Sequence, residues 1–413
     1  MHITPISGRF AIDLRRFALP TLLWLVALAA LLSSPRASSD LFLRHAIVDP
    51  PFESLTYGIQ AFTWWDHGFA GRDLDWIQRM VFSHVKQTFS WEDIQVEPHG
   101  DFLVGRGHEI LNELERRSLK LIVRLSDAPE WSHPSVTGVR GVDYLDAPPD
   151  DLADFGAYCG RLASEFRGRV AAYQVWNEPN LAREWGGRPP DPAGYVALLE
   201  VCSEAIRTAD PDAAVISAGL APTGSYDATV TPDDLFLQGM YDAGFQRYVD
   251  AVGVHAPGFS PPELDPAEAR GGHRFFSFRR VEDIRRIMIA NGDAARQIAV
   301  LELGWTTDRI NPDYAHFAVD EATQADYLVR AYAYAASHWS PWVGLMSMIY
   351  IASPEWTEQD EQYWWAITTP SGYTRPAYID LANMAKYCGD QFIPARAPDS
   401  PEALGLVPVY PCD

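Results

Sequence analysis

Short apolar segments alternate along the chain with segments in which apolar residues recur at helical spacing. The short segments predict eight strands, at Thr56–Ala61, Val85–Phe89, Leu119–Leu125, Val170–Trp176, Ala213–Ala218, Asp250–His255, Ile298–Glu302 and Val343–Tyr350. The helical segments predict helices at Arg72–Ser83, Gly107–Ser118, Asp150–Phe166, Pro192–Ala209, Asp233–Ala243, Arg280–Ala290 and Glu321–Ser337, with a last helix near Tyr378–Tyr387. Eight strands that are each followed by a helix predict an α/β fold, a single (β/α)8 TIM barrel over residues 56–390. An open doubly wound sheet fits less well, because no glycine-rich phosphate-binding turn follows the first strand.

The first 39 residues have a different character from the predicted barrel. A basic stretch, 1–16, precedes the uncharged apolar run 17–32, and small residues follow it. This order is typical of an export signal, and the run is slightly shorter than the roughly 20 residues of a spanning helix. A cleaved signal peptide and a retained membrane anchor both stay open for residues 1–39. In either case we expect the rest of the chain outside the cytoplasm, secreted or anchored to the cell envelope through residues 17–32.

Two shorter segments flank the predicted barrel. Residues 40–55 form a short linker, and residues 391–413 form a C-terminal tail. Four cysteines agree with export. Cys159 and Cys202 fall on consecutive predicted helices, while Cys388 and Cys412 lie near the C-terminus, so the simplest pairing is Cys159–Cys202 with Cys388–Cys412. Four unpaired thiols are the alternative.

Composition narrows the classes of partner. Acidic residues outnumber basic ones 55 to 33, which gives a net charge of −22. Nucleic-acid binding needs a basic face, so we expect no nucleic-acid partner, and strongly acidic polymers are disfavoured as substrates. The sequence contains no cysteine or histidine cluster with zinc-ligand spacing, and we expect neither a metal nor an organic cofactor.

Tryptophan is concentrated where a barrel has its active site, at the C-terminal ends of the strands. Ten of the fourteen tryptophans follow or end a predicted strand: Trp64, Trp65, Trp91, Trp131, Trp176, Trp185, Trp305, Trp356, Trp364 and Trp365. A flat apolar ring with one hydrogen-bond donor suits the C–H face of a sugar. Core packing is the better explanation for any single tryptophan, but the set as a whole predicts a carbohydrate-binding cleft.

Two glutamates interrupt apolar strands. The fourth strand ends in Trp176-Asn177-Glu178-Pro179, and the seventh contains Glu302 followed by Leu303-Gly304-Trp305. Burial of an unpaired carboxylate is costly, so a glutamate at such a position needs a reason. In a closed barrel these two strand ends face each other across the mouth. Two opposed carboxyl groups are what glycoside cleavage requires.

Residues 55–390 resemble the clan of retaining glycoside hydrolases built on a (β/α)8 barrel, and most closely family 39 and the bacterial exopolysaccharide glycosidases placed near it. The resemblance rests on Gln174–Leu181, on Asp191–Gly219, and on the Glu-x-Gly-Trp at 302–305. It implies that Glu178 is the acid/base and Glu302 the nucleophile.

The resemblance assigns further positions. Asn177 matches the asparagine that contacts the sugar 2-hydroxyl, and His255 matches a histidine near the nucleophile. Pro257 stands where these enzymes have a tyrosine, so another group must hydrogen-bond the nucleophile. Lys86 occupies the place of an arginine that faces the nucleophile, although a lysine that reaches solvent at the barrel end also fits. Trp364 or Trp365 matches the tryptophan beneath the sugar, and Trp91, Trp131, Trp176 and Trp305 are the other aromatic candidates for substrate binding.

The sequence therefore predicts a retaining glycoside hydrolase that cleaves O-glycosidic bonds, expected to be β, in an extracellular or cell-envelope polysaccharide. The expected partner is the carbohydrate substrate. Two alternatives remain: a barrel that binds glycan without cleaving it, and a transglycosylase that uses the same residues.

Overall fold

A computed structural model of the chain describes residues 42, 45–66, 68–138, 144–275, 277–384, 386–388 and 391–393. The predicted signal or anchor segment and Cys412 lie outside these residues. The chain divides into two units, Met1–His45 and Ala46–Asp413, and the following description concerns the second. None of the helices formed by the described residues is long and apolar enough to cross a membrane.

Eight parallel strands close into a barrel in chain order, with the last strand paired to the first. This confirms the predicted (β/α)8 fold. The strands are β1 Thr56–Gln60, β2 His84–Ser90, β3 Lys120–Ser126, β4 Val170–Val175, β5 Ala214–Ser217, β6 Ala251–Pro257, β7 Gln297–Gly304 and β8 Val343–Met348. An antiparallel pair follows, β9 Lys386–Cys388 with β10 Gln391–Ile393.

Amphipathic helices connect the strands and cover the barrel. They are α1 Ala70–Gln78, α2 Trp91–Ile94, α3 Gly105–Glu115, α4 Leu152–Glu165, α5 Pro192–Ala209, α6 Asp233–Asp242, α7 Arg280–Ala290, α8 Pro312–Ala315, α9 Glu321–His338, α10 Glu361–Trp365 and α11 Pro376–Ala382. Aspartates cap three of them: Asp151, Asp191 and Asp320 accept a hydrogen bond from a backbone N–H in the first turn of α4, α5 and α9.

The barrel interior is filled by alternating small and branched side chains, as the taper of such a barrel requires. Ala172 and Ala299 are examples of the small residues, and Ile122, Ile216 and Leu301 of the branched ones, all of them buried. Strands covered on both faces read as continuous apolar runs, which is why the sequence pattern locates them well.

A disulfide joins the helices that flank β4. Cys159 of α4 and Cys202 of α5 are bonded, with a Cα–Cα distance of 5.3 Å. Two glycines of α4 allow the close approach, because a Cβ on Gly160 would lie 3.2 Å from Ala205. The first predicted pair is therefore confirmed. The second, Cys388–Cys412, falls outside the described residues.

Two predicted helices end earlier than expected. The first stops at Gln78, and Met80, Val81 and Phe82 are fully buried in the connection to β2. Their apolar pattern reflects packing of that connection and not a continuing helix. The last helix ends at Ala382, and the backbone enters β9 at Lys386.

Candidate active site

Glu178 lies just past the end of β4 on a sharply turned backbone. Trp176 and Glu178 have φ angles of 67° and 39°, in the left-handed region that non-glycine residues rarely adopt. Such a conformation costs on the order of 1–3 kcal/mol per residue and persists only where the surroundings hold it. One hydrogen bond that holds it runs from the Glu178 N–H to the carbonyl of Gly219, at 3.0 Å.

Side chains around the turn fix it further. The Trp176 indole N–H donates to the carbonyl of Glu184 at 2.9 Å. The buried Gln174 amide donates to the Trp176 carbonyl at 2.9 Å and to Asn177 Oδ1 at 3.2 Å. Asn177 is thereby oriented at the edge of the cleft, where the resemblance expects it.

Glu302 lies on β7 and forms an ion pair with a buried cation. Lys86 Nζ, from β2, is 3.0 Å from Glu302 Oε1 and 3.1 Å from the Leu301 carbonyl. Lys86 therefore reaches the carboxylate and not solvent at the barrel end. Burial alone would raise the pKa of the Glu302 carboxyl, but the positive charges of His255, Lys86 and Arg124 outweigh it and lower that pKa to about 2. Glu302 is thus ionised throughout the neutral range.

His255 lies between the two carboxylates. Its Nδ1 is 2.8 Å from Glu178 Oε1 and 3.7 Å from Glu302 Oε2, and the imidazole is buried. The ring packs directly against Gly219, where a Cβ would lie 2.1 Å from His255 Cδ2. Only glycine leaves room for the imidazole at this position. Gly219 therefore supports the site twice, through its carbonyl and through its missing side chain.

One ligand atom each from Glu178, His255 and Glu302 lie within 4.8 Å of one another. Two carboxylates and an imidazole are also metal ligands. A cation here would compete with the Lys86 ammonium for Glu302, and Arg183 adds further positive charge 3.4 Å from Glu178. The set is better suited to proton transfer.

Two polar residues that sequence reasoning missed lie beside Glu178. The 3₁₀ helix Ala182–Trp185 follows the turn, and its Arg183 is 3.4 Å from Glu178 Oε2 and 3.5 Å from Glu184 Oε1. Burial, with the charges of Glu178 and Asp146, raises the pKa of Glu184 to about 8. The Arg-Glu pair is visible in the sequence, but its position beside Glu178 depends on the turn before it.

These residues line a cleft of about 660 Å³ at the C-terminal end of the barrel. Gln60, at the end of β1, is only 5% exposed, and its Oε1 has no hydrogen-bond partner among the described residues. Aromatic rings form part of the wall: Phe259, Tyr314, Phe317, Tyr350 and Trp365. Arg124 also lines the cleft, with three acids besides Glu178 and Glu302, namely Asp146, Glu184 and Glu361. Burial raises the pKa of Glu361.

Of the six predicted substrate-binding tryptophans, three lie in or beside depressions of the surface and three are buried. Trp365 lines the cleft, whereas Trp364 lies beside it with its indole N–H on the Glu358 carbonyl, and Trp131 lines a separate depression with Tyr144. The other three are buried in the core, which corrects their predicted role: Trp91, Trp176 and Trp305. Trp91 stacks on Tyr158 at 5.2 Å, and the Trp305 indole donates to the Ser260 carbonyl at 2.9 Å.

No protein-family model matches the chain, and no curated protein matches it. Solved structures do. A family 39 glycoside hydrolase from Bacteroides cellulosilyticus WH2 is 18% identical with a TM-score of 0.60, over 81% of this chain and 64% of that one. A GH39 enzyme from Xanthomonas axonopodis pv. citri is 17% identical with a TM-score of 0.56, over 82% of this chain and 67% of that one. A glucosidase from Croceicoccus marinus is 12% identical with a TM-score of 0.58, over 81% and 66%.

The chain thus spans about two thirds of the length of these structures. At such identities the likeness establishes the fold, a barrel shared with family 39 and other glycoside hydrolases.

Proposed function

We propose that the protein is a retaining glycoside hydrolase in which Glu302 is the nucleophile and Glu178 the acid/base. The observation that carries the proposal is the juxtaposition of these two carboxyl groups, from opposite strands, at the mouth of the barrel. Retaining enzymes hold the two groups about 5–5.5 Å apart, whereas inverting enzymes leave roughly 6.5–9.5 Å for a water. The separation of at most 4.8 Å between one oxygen of each supports the retaining arrangement.

The electrostatic environment supports the division of roles. A nucleophile must be ionised, and the pKa of about 2 keeps Glu302 so. Glu178 shares a hydrogen bond with the buried His255 imidazole at 2.8 Å. A carboxyl group in that setting is suited to give and take one proton in each cycle.

In the first step Glu302 attacks the anomeric carbon, and the bond to the leaving oxygen breaks as that oxygen takes the proton of Glu178. In the second step a water gives its proton to Glu178 while its oxygen bonds to the anomeric carbon and displaces Glu302. Proton and charge return to their starting positions. Asn177 and Gln60 are placed to hydrogen-bond the sugar, because both line the cleft and Gln60 Oε1 lacks another donor among the described residues.

The net charge of −22 favours neutral glycans over uronic-acid polymers, because it repels acidic polymers at long range. We further propose that this glycan is extracellular or part of the cell envelope, because residues 1–39 have the order of an export signal.

Screening the purified protein against 4-nitrophenyl β-glycosides and bacterial exopolysaccharides tests the activity. We expect release of sugar whose anomeric configuration, followed by NMR during the first turnovers, matches that of the substrate. Inverted product would exclude the retaining mechanism, and products longer than the substrate would identify transglycosylation. Mass spectrometry of native protein tests export: full-length chain free in the cytosol would contradict it.

A further inference from the structure

Aromatic side chains continue from the cleft onto the outer surface beside β1. Tyr350 lines the cleft, and its ring lies 5.4 Å from Phe62 and 5.3 Å from Trp356. Phe62 and Trp356 are 4.9 Å apart, and Phe62 lies 6.4 Å from Trp65. The rings therefore form a contiguous path that starts beside the two catalytic carboxylates and ends at Trp65.

The last ring of this path is exposed. Trp65 is 48% exposed, so about half of its surface is accessible to a ligand. An exposed aromatic ring at the end of a path from an active site is suited to hold a ligand that extends out of that site. Scattered apolar residues on a surface need no such explanation, but this one is connected to the cleft through ring contacts.

Trp65 is also held in place. Its indole N–H donates to Asp93 Oδ2 at 3.1 Å, and the same oxygen accepts the indole N–H of buried Trp64 at 2.8 Å. Arg106 donates to the Trp64 carbonyl at 3.3 Å and to the carbonyl of Thr63. A ring that is already fixed loses little conformational entropy when a ligand stacks on it.

Polar groups surround the ring. Trp64, Trp65, Asp93, Leu103 and Arg106 line a shallow depression of about 530 Å³. The Trp65 ring provides a contact for the C–H face of a sugar, and the exposed Asp93 carboxylate beside it provides one for the hydroxyls. A protein partner would fit a broad apolar surface better than this narrow polar-edged one.

We propose that the Trp65 depression is a remote sugar-binding subsite, which holds a glycan chain whose cleaved bond lies between Glu178 and Glu302. The substrate is then a polysaccharide, bound over several sugar residues. The position of the cleaved bond in this inference rests on the proposed function. The binding of the glycan at Trp65 does not depend on that function.

Trp65→Ala tests the proposal, with Phe69→Ala as the matched control, because Phe69 lies in the same loop and is 46% exposed. The probes are 4-nitrophenyl β-glycosides, which fill only the cleft, and barley β-glucan, xylan and glucomannan. We expect Trp65→Ala to raise KM for the cleaved polysaccharide about tenfold, the worth of one lost stacking contact. Its kcat/KM for the aryl glycosides should equal that of the unmodified protein and of Phe69→Ala.

A second measurement separates the subsite from catalysis. Native electrophoresis in gels that contain each polysaccharide, run with the Glu302→Ala variant, reports binding alone. The Glu302→Ala, Trp65→Ala protein should be retarded less than Glu302→Ala, and Trp65→Phe, which keeps a ring, should restore part of the retardation. If retardation depends on Trp65 but no glycoside is cleaved, the subsite stands and the proposed function fails.

Three results would overturn the proposal. If the polysaccharide kinetics and the gel retardation were the same with and without Trp65, the subsite would be excluded and the proposed function would stand. An equal loss on aryl glycosides and polysaccharide would assign Trp65 to packing of the loop. A change of oligomeric state in Trp65→Ala, measured by light scattering, would identify the ring as part of a protein interface.

Discussion

The carboxylate on β7 is surrounded by fixed positive charge, whereas the carboxylate past β4 faces an imidazole and an exposed guanidinium. Lys86 is fully buried 3.0 Å from Glu302, while the Arg183 side chain near Glu178 is 70% exposed. The backbone differs too, because Glu302 lies within strand β7 and Glu178 lies on a left-handed turn. One glutamate is held in a single charge state, and the other is placed where its proton can be exchanged. The contrast shows how one residue type obtains two chemical roles from its neighbours.

The largest expected effect comes from Glu302→Ala. Without the nucleophile no glycosyl-enzyme forms, and kcat should fall by about five orders of magnitude or more. Azide fits the vacated space and should restore turnover with a glycosyl azide of inverted configuration. NMR of that product checks the assignment, and a retained configuration would contradict it.

Glu178→Ala should affect substrates unequally. Glycosides with poor leaving groups should lose about 10²–10⁴-fold in kcat/KM, because general acid catalysis contributes that much. Activated aryl glycosides need no proton to leave, so their first step should be spared and the covalent intermediate should accumulate. Intact-protein mass spectrometry detects it, and rescue by azide should give retained configuration. Equal losses on both substrate types would remove the acid role of Glu178.

Lys86→Met removes the cation from the Glu302 side alone. An opposite charge this close lowers a carboxyl pKa by about 1–3 units, so the acidic limb of the kcat/KM profile should move to higher pH by a similar amount. Lys86→Arg keeps the charge and serves as the control. Kinetics between pH 3 and 7 measure the shift, and an unmoved limb would show that Lys86 does not set the charge of Glu302.

The same pair makes a prediction for stability. The pKa of Glu302 is lowered from 4.5 to about 2, so its ionisation stabilises the fold above pH 4.5, and this contribution is lost as the pH falls toward 2. In Lys86→Met this contribution should be smaller, and its loss should be complete at higher pH. Urea unfolding as a function of pH follows it.

Gly219→Ala disturbs the Glu178 side. The new Cβ would overlap the His255 ring and push the imidazole away from Glu178, which should lower kcat by about 10–100-fold. Gly58→Ala is the control, since its Cβ would meet only ordinary contacts of 3.4 Å or more. If Gly219→Ala kept full activity with a displaced imidazole, His255 would have no positioning role.

The smallest effect is expected from Gln60→Ala. The amide that is lost is a hydrogen-bonding group, and its neighbour in the β1–β2 register is Lys86. One hydrogen bond is worth about 1 kcal/mol, so KM should rise about fivefold with kcat little changed. Gln60→Glu adds a negative charge beside Lys86 and should also weaken the ion pair between Lys86 and Glu302. A change in kcat alone for Gln60→Ala would exclude a role in substrate binding.

The fold is readable from the sequence because its strands are buried on both faces. All eight predicted strands overlap observed ones, and the predicted bounds of α5 and α7 match the structure. Glu178 and Glu302 are also visible, since each interrupts an apolar run. The first and last helices are misjudged at their C-terminal ends, where buried connections imitate helical spacing.

The rest of the site depends on geometry that spacing does not encode. Arg183 and Glu184 come to lie beside Glu178 through the turn at which Trp176 and Glu178 adopt left-handed backbone angles. Tryptophan is ambiguous for another reason: the same ring fills a core and binds a sugar. Trp176 and its two buried counterparts therefore looked like cleft residues, while Gln60, with its unpartnered amide oxygen, carried no signal at all.

The Lys86–Glu302 bond joins positions 216 residues apart, on strands that are not neighbours in the barrel. It forms only after the N-terminal and C-terminal strands have come together in the barrel, and contacts so distant in sequence are made slowly. During refolding from urea, helical circular dichroism should recover before glycosidase activity does. A partly assembled barrel would then have no glycosidase activity, and only the completely folded protein would cleave a glycan.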